Sequence, residues 1–182
     1  ILLAPVAYQR LAHPDGEIAS AYAAAALGAG MVLSMQASSP LEDVAAAMHG
    51  DHGDGPLWLQ LYLQHDRALV RELARRAETA GFEALVVTVD APTSGVRDRE
   101  RRAGFSLPPE VQAVNLARMA PPSQVQAAPG HSALFDGLLR HAPTWDDIAW
   151  LQAQTQLPVL LKGVLHPEDA RLALAQGVAG LI

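Results

Sequence analysis

Leu57-Trp58-Leu59-Gln60-Leu61-Tyr62-Leu63, then Arg67 to Ala80, then Ala84-Leu85-Val86-Val87-Thr88-Val89-Asp90 decide the fold of this chain. The first and third runs are apolar at nearly every position, which suits strands buried on both faces. Between them lies an amphipathic helical pattern stopped by Gly81. Such a unit joins two parallel strands through a helix that covers the sheet. The same alternation extends in both directions. Toward the start, Ile1 to Val6 is a strand, Asp15 to Leu27 an Ala-rich helix ending at Gly28, Met31 to Met35 a strand, and Pro40 to Met48 a helix reached through Ser38-Ser39. Proline at the first helical position with acids in the first turn suits a helix start, where free N–H groups and the dipole favour negative charge. Beyond Asp90 runs a long stretch from Ala91 to about Pro143, broken by prolines and glycines. Thr144 to Gln154 is then a helix capped as Thr-x-Asp-Asp. Pro158 to Val164 is a strand, Pro167 to Gln176 a helix stopped by Gly177, and Ala179 to Ile182 the start of a sixth strand.

An open doubly wound sheet and a closed (β/α)₈ barrel both satisfy this pattern. No strand-to-helix turn carries the glycine-rich dinucleotide fingerprint, which favours the barrel. A barrel takes roughly 250 residues, whereas these 182 supply five units and a stub. The expectation is therefore one domain, 1–182, forming part of a barrel in a longer chain, with 91–143 as a long variable loop. Taken alone, its open strand edges would invite aggregation.

Composition narrows the function. A net charge of -6 argues against a nucleic-acid partner, which needs a basic face. There are no cysteines, so disulfides and thiolate chemistry are excluded. No apolar run is long enough to span a bilayer, and Ile1-Leu2-Leu3-Ala4-Pro5 has no basic flank or cleavage pattern of a signal peptide. The missing initiator Met places the expected N-terminus upstream, and the expected location is the cytoplasm.

Four strand runs end on polar groups: Ser34, Gln60 with Tyr62, Thr88 with Asp90, and Lys162. Parallel strands all point one way, so these endings gather at one rim. Side chains two apart on a strand share a face, which pairs Gln60 with Tyr62 and Thr88 with Asp90. In barrels, catalytic groups sit at the C-terminal strand ends. A rim lysine suits electrostatic stabilisation of an anion such as a phosphate, an enolate or a reduced flavin, and an aspartate there can orient a histidine. Other features are weighed as structural. His49-Gly50-Asp51-His52-Gly53-Asp54 resembles a metal cluster but precedes a strand, hence the opposite rim, and is expected to be a solvated loop. His13-Pro14-Asp15 and His166-Pro167-Glu168 are expected to begin helices. Arg75-Arg76 and the alternating run Arg97 to Arg102 are expected to be solvated, with Arg97 nearest the Asp90 rim.

Leu3-Ala4-Pro5-Val6-Ala7-Tyr8-Gln9, with His13-Pro14-Asp15-Gly16-Glu17 after it, resembles the opening of the FMN-dependent α-hydroxy-acid oxidase/dehydrogenase family, which includes glycolate and lactate oxidases, lactate monooxygenase and mandelate dehydrogenase. Gln60-Leu61-Tyr62, Thr88-Val89-Asp90-Ala91-Pro92, Gly95-Val96-Arg97, Trp145-Asp146-Asp147-Ile148-Ala149-Trp150-Leu151 and Leu161-Lys162-Gly163-Val164 match in the same order. The resemblance implies a (β/α)₈ barrel that binds FMN and oxidises an L-2-hydroxy acid to a 2-oxo acid. It implies a backbone contact of Ala7 with the reactive edge of the flavin, and hydrogen bonds from Ser34, Gln60 and Thr88 to its polar edge. Lys162 would sit by N1 and O2 and stabilise the anionic reduced ring. Tyr62 would contact the substrate, Arg97 would help hold its carboxylate through a guanidinium fork, and Asp90 would orient the catalytic histidine. In the family that histidine lies in a Ser-Asn-His-Gly-Gly-Arg run after the sixth strand, past Gly180-Leu181-Ile182. Alanine at Ala7 goes more often with oxidases, and Gln36 stands where glycolate oxidases carry tryptophan. The electron acceptor would be oxygen or a quinone, the assembly a homotetramer, and the 91–143 loop lacks the amphipathic stretch a membrane anchor needs. Two rivals stand beside this: another flavin barrel, such as a type 2 isopentenyl diphosphate isomerase, with phosphate-bearing substrates; and a non-catalytic truncated barrel, which would be colourless.

Overall fold

Period-two alternation along parallel strands sorts this chain's apolar residues into two sets, and the sheet register lines each set up. The computed structural model describes residues 1–50, 53, 55–91, 97–119 and 142–182. Among them, strands β1 (Leu2–Leu3), β2 (Gly30–Ser34), β3 (Leu57–Leu61), β4 (Ala84–Thr88), β5 (Val159–Lys162) and β6 (Gly180–Leu181) form one sheet in the order β1-β2-β3-β4-β5-β6, every pair parallel. Leu33 pairs with Leu59, Leu59 with Leu85 and Leu85 with Val159. These residues, with Met31, Leu57, Leu61, Val87 and Leu161, are at most 3% exposed and join one apolar core with the helices. Fully burying a side chain of this size contributes about 1.5–3 kcal/mol, so this layer dominates the stability of the sheet.

The helices that cover it are α1 (Gly16–Ala26), α2 (Leu41–Met48), α3 (Arg67–Ala80), α5 (Trp145–Gln152) and α6 (Pro167–Ala175). A short α4 (Asp98–Ala103) lies outside the core with no buried residue. Core residues come from each covering helix, among them Ala21, Val44, Leu73, Leu151 and Ala173, whereas Val32, Ala84 and Val86 are buried outside that core. Among the described residues, helices thus cover one sheet face only. A doubly wound sheet carries helices on both faces and reverses its strand order. Neither occurs here, which decides for the barrel wall.

Helix boundaries follow their caps. In α3 the Asp66 carboxylate accepts from Leu69 N at 3.0 Å, and Leu69, Val70, Leu73, Ala74 and Ala77 form its buried stripe. Thr144 and Asp147 form a reciprocal capping box on α5. The expected starts at both His-Pro pairs are met: Nδ1 of His166 accepts from Glu168 N, and Nδ1 of His13 from Asp15 N, each at 3.2 Å. Pro40 is an extended N-cap of α2, one residue short of the helical position expected.

Several boundaries are corrected. β1 is two residues rather than six, because Pro5 has no N–H to pair and Tyr8 turns the chain with φ 52. The other strands stop one or two residues before the expected runs do. The 91–143 stretch is not wholly irregular: it holds α4, a 3₁₀ turn at Val114–Leu116, and the buried residues Val111 and Asn115. In the His49 cluster, Asp51, His52 and Asp54 lie outside the described residues, as do Pro92, Gly95 and Val96 of the resemblance; His49 itself is exposed. Gly55 is glycine for steric reasons, since a Cβ there would meet Ala29 O at 2.1 Å. Among the described residues no helix is long and apolar enough to cross a membrane.

The core argument makes a prediction. Leu161→Ala should lower the unfolding free energy by about 2–5 kcal/mol, read as a lower denaturant midpoint at unchanged slope; a shift under ~1 kcal/mol would contradict the one-face core.

Candidate active site

Residues on the second set of strand positions face away from the helices, and this face carries the polar endings. Ser34 pairs with Gln60, and Thr88 with Lys162. Ser34 Oγ donates to Gln60 Oε1 at 3.2 Å, and Gln60 Nε2 donates to Thr88 Oγ1 at 3.1 Å. Ser34 and Gln60 are 4% and 3% exposed. The result is a polar row running from β2 across β3 to β4, with Lys162 next to Thr88 on β5. Lys162 is half-buried, and among the described residues its ammonium has no hydrogen-bond or ion-pair partner. A half-buried cation beside satisfied neutral groups is suited to an anionic or electron-rich ligand edge.

Above the strand ends opens a cavity of about 660 Å³, lined by Tyr62, Thr88, Arg97, Trp145, Gly163 and Gln36 among others. Tyr62 follows β3, its backbone N held by Met35 Sδ at 3.0 Å. Asp90 is exposed, and its carboxyl lies against Gly163, where an added Cβ would stand 2.5 Å from Asp90 Cγ. Gly163 also has φ +103, a conformation L side chains rarely adopt. Glycine after the lysine therefore both makes the turn and leaves room for the aspartate. Arg97 reaches the cavity wall, yet its guanidinium is exposed and pairs with Glu100 at 3.1 Å. Ala7 is half-buried on the segment after β1, whose Tyr8 N donates to Gln36 O at 3.2 Å. Sequence-predicted residues thus form two groups: the polar row, and the cavity residues Tyr62, Thr88 and Arg97, which share Thr88.

Three residues escaped the sequence reading. Glu17, fully buried, accepts from Gln9 N, Ser38 N, Ser38 Oγ and Ser39 Oγ at 2.9–3.0 Å. Burial pushes its carboxyl up, but the hydrogen bonds from Ser38 and Gln9 prevail and hold it below the ordinary 4.5. Asn115 is buried; its Oδ1 accepts from Leu41 N and its Nδ2 donates to Ser39 O, both at 3.0 Å. It caps α2 where Pro40 cannot. Arg76, expected to be solvated, instead forks onto Glu42 at 2.7 and 2.8 Å and reaches Asn115 Oδ1 at 3.2 Å. The hydrogen bond to Arg76 holds Glu42 below its ordinary range and raises Arg76. Serines before a helix and an acid in a first turn read locally as caps, so only the tertiary fold reveals these roles.

The whole chain, residues 1–182, matches the family model described as FMN-dependent dehydrogenase. The chain belongs to this family. It is 52% identical over 183 residues to an L-lactate oxidase of Alicycliphilus denitrificans, and 45% identical over 183 residues to glycolate oxidase 1 of Zea mays, covering 100% of this chain and 48% of each relative. Among solved structures it superposes on mandelate oxidase with (S)-4-hydroxymandelic acid at TM-score 0.81 and 42% identity, covering 99% of this chain and 49% of that one. A mandelate oxidase mutant with the C4a-OH-FMN adduct gives TM-score 0.79 and 40% identity, covering 99% and 46%. The chain spans about half the length of the relatives it matches. The six strands are accordingly part of a (β/α)₈ barrel, in a family that depends on FMN.

Two outcomes follow from this geometry. Gly163→Ala should displace the Asp90 carboxyl, visible as altered chemical shifts at Asp90 and Lys162, and lower thermal stability; an unchanged spectrum would refute the packing. Because the folded carboxyl of Glu17 titrates below 4.5, its stabilisation is complete above that pH and is lost as pH falls through the folded value. The acid limb of stability against pH should therefore flatten below ~4.5 in Glu17→Gln, measured by denaturant melts from pH 6 to 3.

Proposed function

We propose that residues 1–182 form the partial FMN-binding barrel domain of an enzyme that oxidises an L-2-hydroxy acid to a 2-oxo acid, with oxygen as acceptor and 91–143 as its variable loop. The observation that carries this is the polar row Ser34–Gln60–Thr88 ending beside Lys162, which has no partner among the described residues, at the C-terminal strand ends.

These residues suit FMN. A flavin has one edge rich in carbonyl and ring nitrogens, and the row presents an amide, hydroxyls and a cation in a line to meet it. Bound FMN would supply the two-electron acceptor that hydroxy-acid oxidation requires. Ser34, Gln60 and Thr88 orient that edge, and Lys162 places a positive charge where electron density collects. Ala7 offers backbone to the reactive edge. Tyr62 meets the substrate hydroxyl or carboxylate within the cavity, and Arg97 supplies a guanidinium for the carboxylate. Asp90 holds the imidazolium of the histidine that the resemblance places after the sixth strand, so the proton taken from the substrate rests on a charge-stabilised base.

The names of the relatives, lactate, glycolate and mandelate oxidases, favour hydroxy acids over the diphosphate substrates of an isomerase. They also favour oxygen over a quinone. The resemblance further carries a homotetramer, and the location we propose is the cytoplasm.

The test is anaerobic mixing of the purified holoprotein with L-lactate, glycolate or mandelate, following flavin absorbance, then admission of oxygen. Bleaching with at least one acid and peroxide on reoxidation is expected. Lys162→Met should slow the bleaching by ~10²–10³; an unchanged rate would remove Lys162 from the role. A yellow protein inert to hydroxy acids but active on isoprenoid diphosphates would favour the isomerase, and a colourless one the non-catalytic barrel.

A further inference from the structure

Glu17 is fully buried at the start of α1, and among the described residues it accepts from four donors that belong to two loops. Gln9 lies in the segment after β1; Ser38 and Ser39 lie between β2 and α2. Sheet pairing does not join these loops, because the β1–β2 ladder ends at Leu3 and Met31. Other ties are few: Tyr8 N to Gln36 O at 3.2 Å and Arg10 N to Ser38 Oγ at 3.1 Å. Between Ala7 and Gln9 stands Tyr8 with φ 52, the sole non-glycine with positive φ among the described residues. A side-chain-bearing residue holds that conformation only where its surroundings over-determine it. The carboxylate supplies much of that constraint, since one anion gathers Gln9 N, Ser38 N and two hydroxyls into a single node. On the far side the same β2–α2 loop is held by Asn115 at Ser39 O and by Val114 N to Ala37 O at 3.3 Å.

We propose that Glu17 is a positioning residue for the cofactor's reacting edge. Its ionised carboxylate fixes the Ala7–Tyr8 backbone against the β2–α2 loop, and so sets how that backbone meets the flavin. This rests on the proposed function, which places Ala7 there. Glu17 touches neither cofactor nor substrate and acts through the two loops. The charge is required because four donors converge on it. A glutamine of equal size offers one acceptor oxygen, and its N–H₂ would face donors.

Glu17→Gln and Glu17→Asp, made in the intact holoprotein, test this. Glu78→Gln is the control: Glu78 receives Thr155 Oγ1 and Gln156 N, pinning α3 to the turn before β5, away from the cavity lining. Glu17→Gln is expected to keep FMN, shift its visible absorption and reduction potential, and lower kcat by ~10–10²-fold with KM little moved, as misplacement at a reacting centre does. Amide exchange in residues 5–10 should speed up even without cofactor. Glu17→Asp, which keeps the charge, should recover part of each change. Glu78→Gln should lower Tm and leave the flavin signals alone. Should Glu17→Gln fail to fold, Ser39→Ala, which removes one donor, should move the same signals in the same direction by less. Wild-type spectrum, potential and exchange in these variants would overturn the proposal, as would equal flavin shifts in Glu78→Gln. Wild-type protein that binds no FMN would instead overturn the function on which it rests.

Discussion

In-register parallel pairing of β2 through β5 is the constraint on which both the core and the site depend. Because side chains alternate along each strand, one register puts Leu33, Leu59, Leu85 and Val159 under the helices and Ser34, Gln60, Thr88 and Lys162 on the opposite face. A slip of one residue on any strand would bring a polar group into the apolar layer and turn a leucine out of it. The burial energy of one face thereby enforces the alignment of the other. No site residue needs to contribute to stability for its position to be held.

Most of this order is legible along the chain because its causes are local. Apolar runs, Gly81 after α3 and the Thr144–Asp147 cap mark their elements through near-neighbour chemistry. The polar strand ends were legible for the same reason: four polar interruptions in apolar runs, each at the end the parallel order requires. What could not be read is set by contacts distant in sequence. Asn115 caps α2 from a segment 74 residues away, and Arg76 is drawn off the solvated face by Glu42. Glu17 looks like an ordinary first-turn acid until Ser38 and Ser39 close over it. Strand lengths were overestimated because an apolar run continues where no neighbour remains to pair with it, as at Tyr62-Leu63.

The loops therefore divide the labour differently from the strands. The β2–α2 loop is held by a buried anion on one side and a buried amide on the other, in surroundings where each hydrogen bond is strengthened by exclusion of water. It joins the segment after β1, the rim of β2 and the 3₁₀ turn at Val114–Leu116 within the long 91–143 stretch. Rigid geometry at that junction is consistent with the positive φ of Tyr8, which a looser loop would relax.

Arg97 illustrates the opposite arrangement. Its partner Glu100 lies one turn along on α4, a helix that buries nothing, and both side chains are open to water. Pairs of that kind contribute about 0.2–0.5 kcal/mol, so releasing the guanidinium costs little. A carboxylate entering the cavity offers the same fork geometry in a less solvated place, where a charge-assisted bond is stronger. An arginine held by a weak surface pair beside a cavity is thus available to a ligand without any rearrangement of the sheet, whereas Lys162 is held on β5 beside Thr88. In the roles proposed for them, Lys162 is the charge held fixed and Arg97 the charge free to turn, and the difference follows from which element each residue stands on.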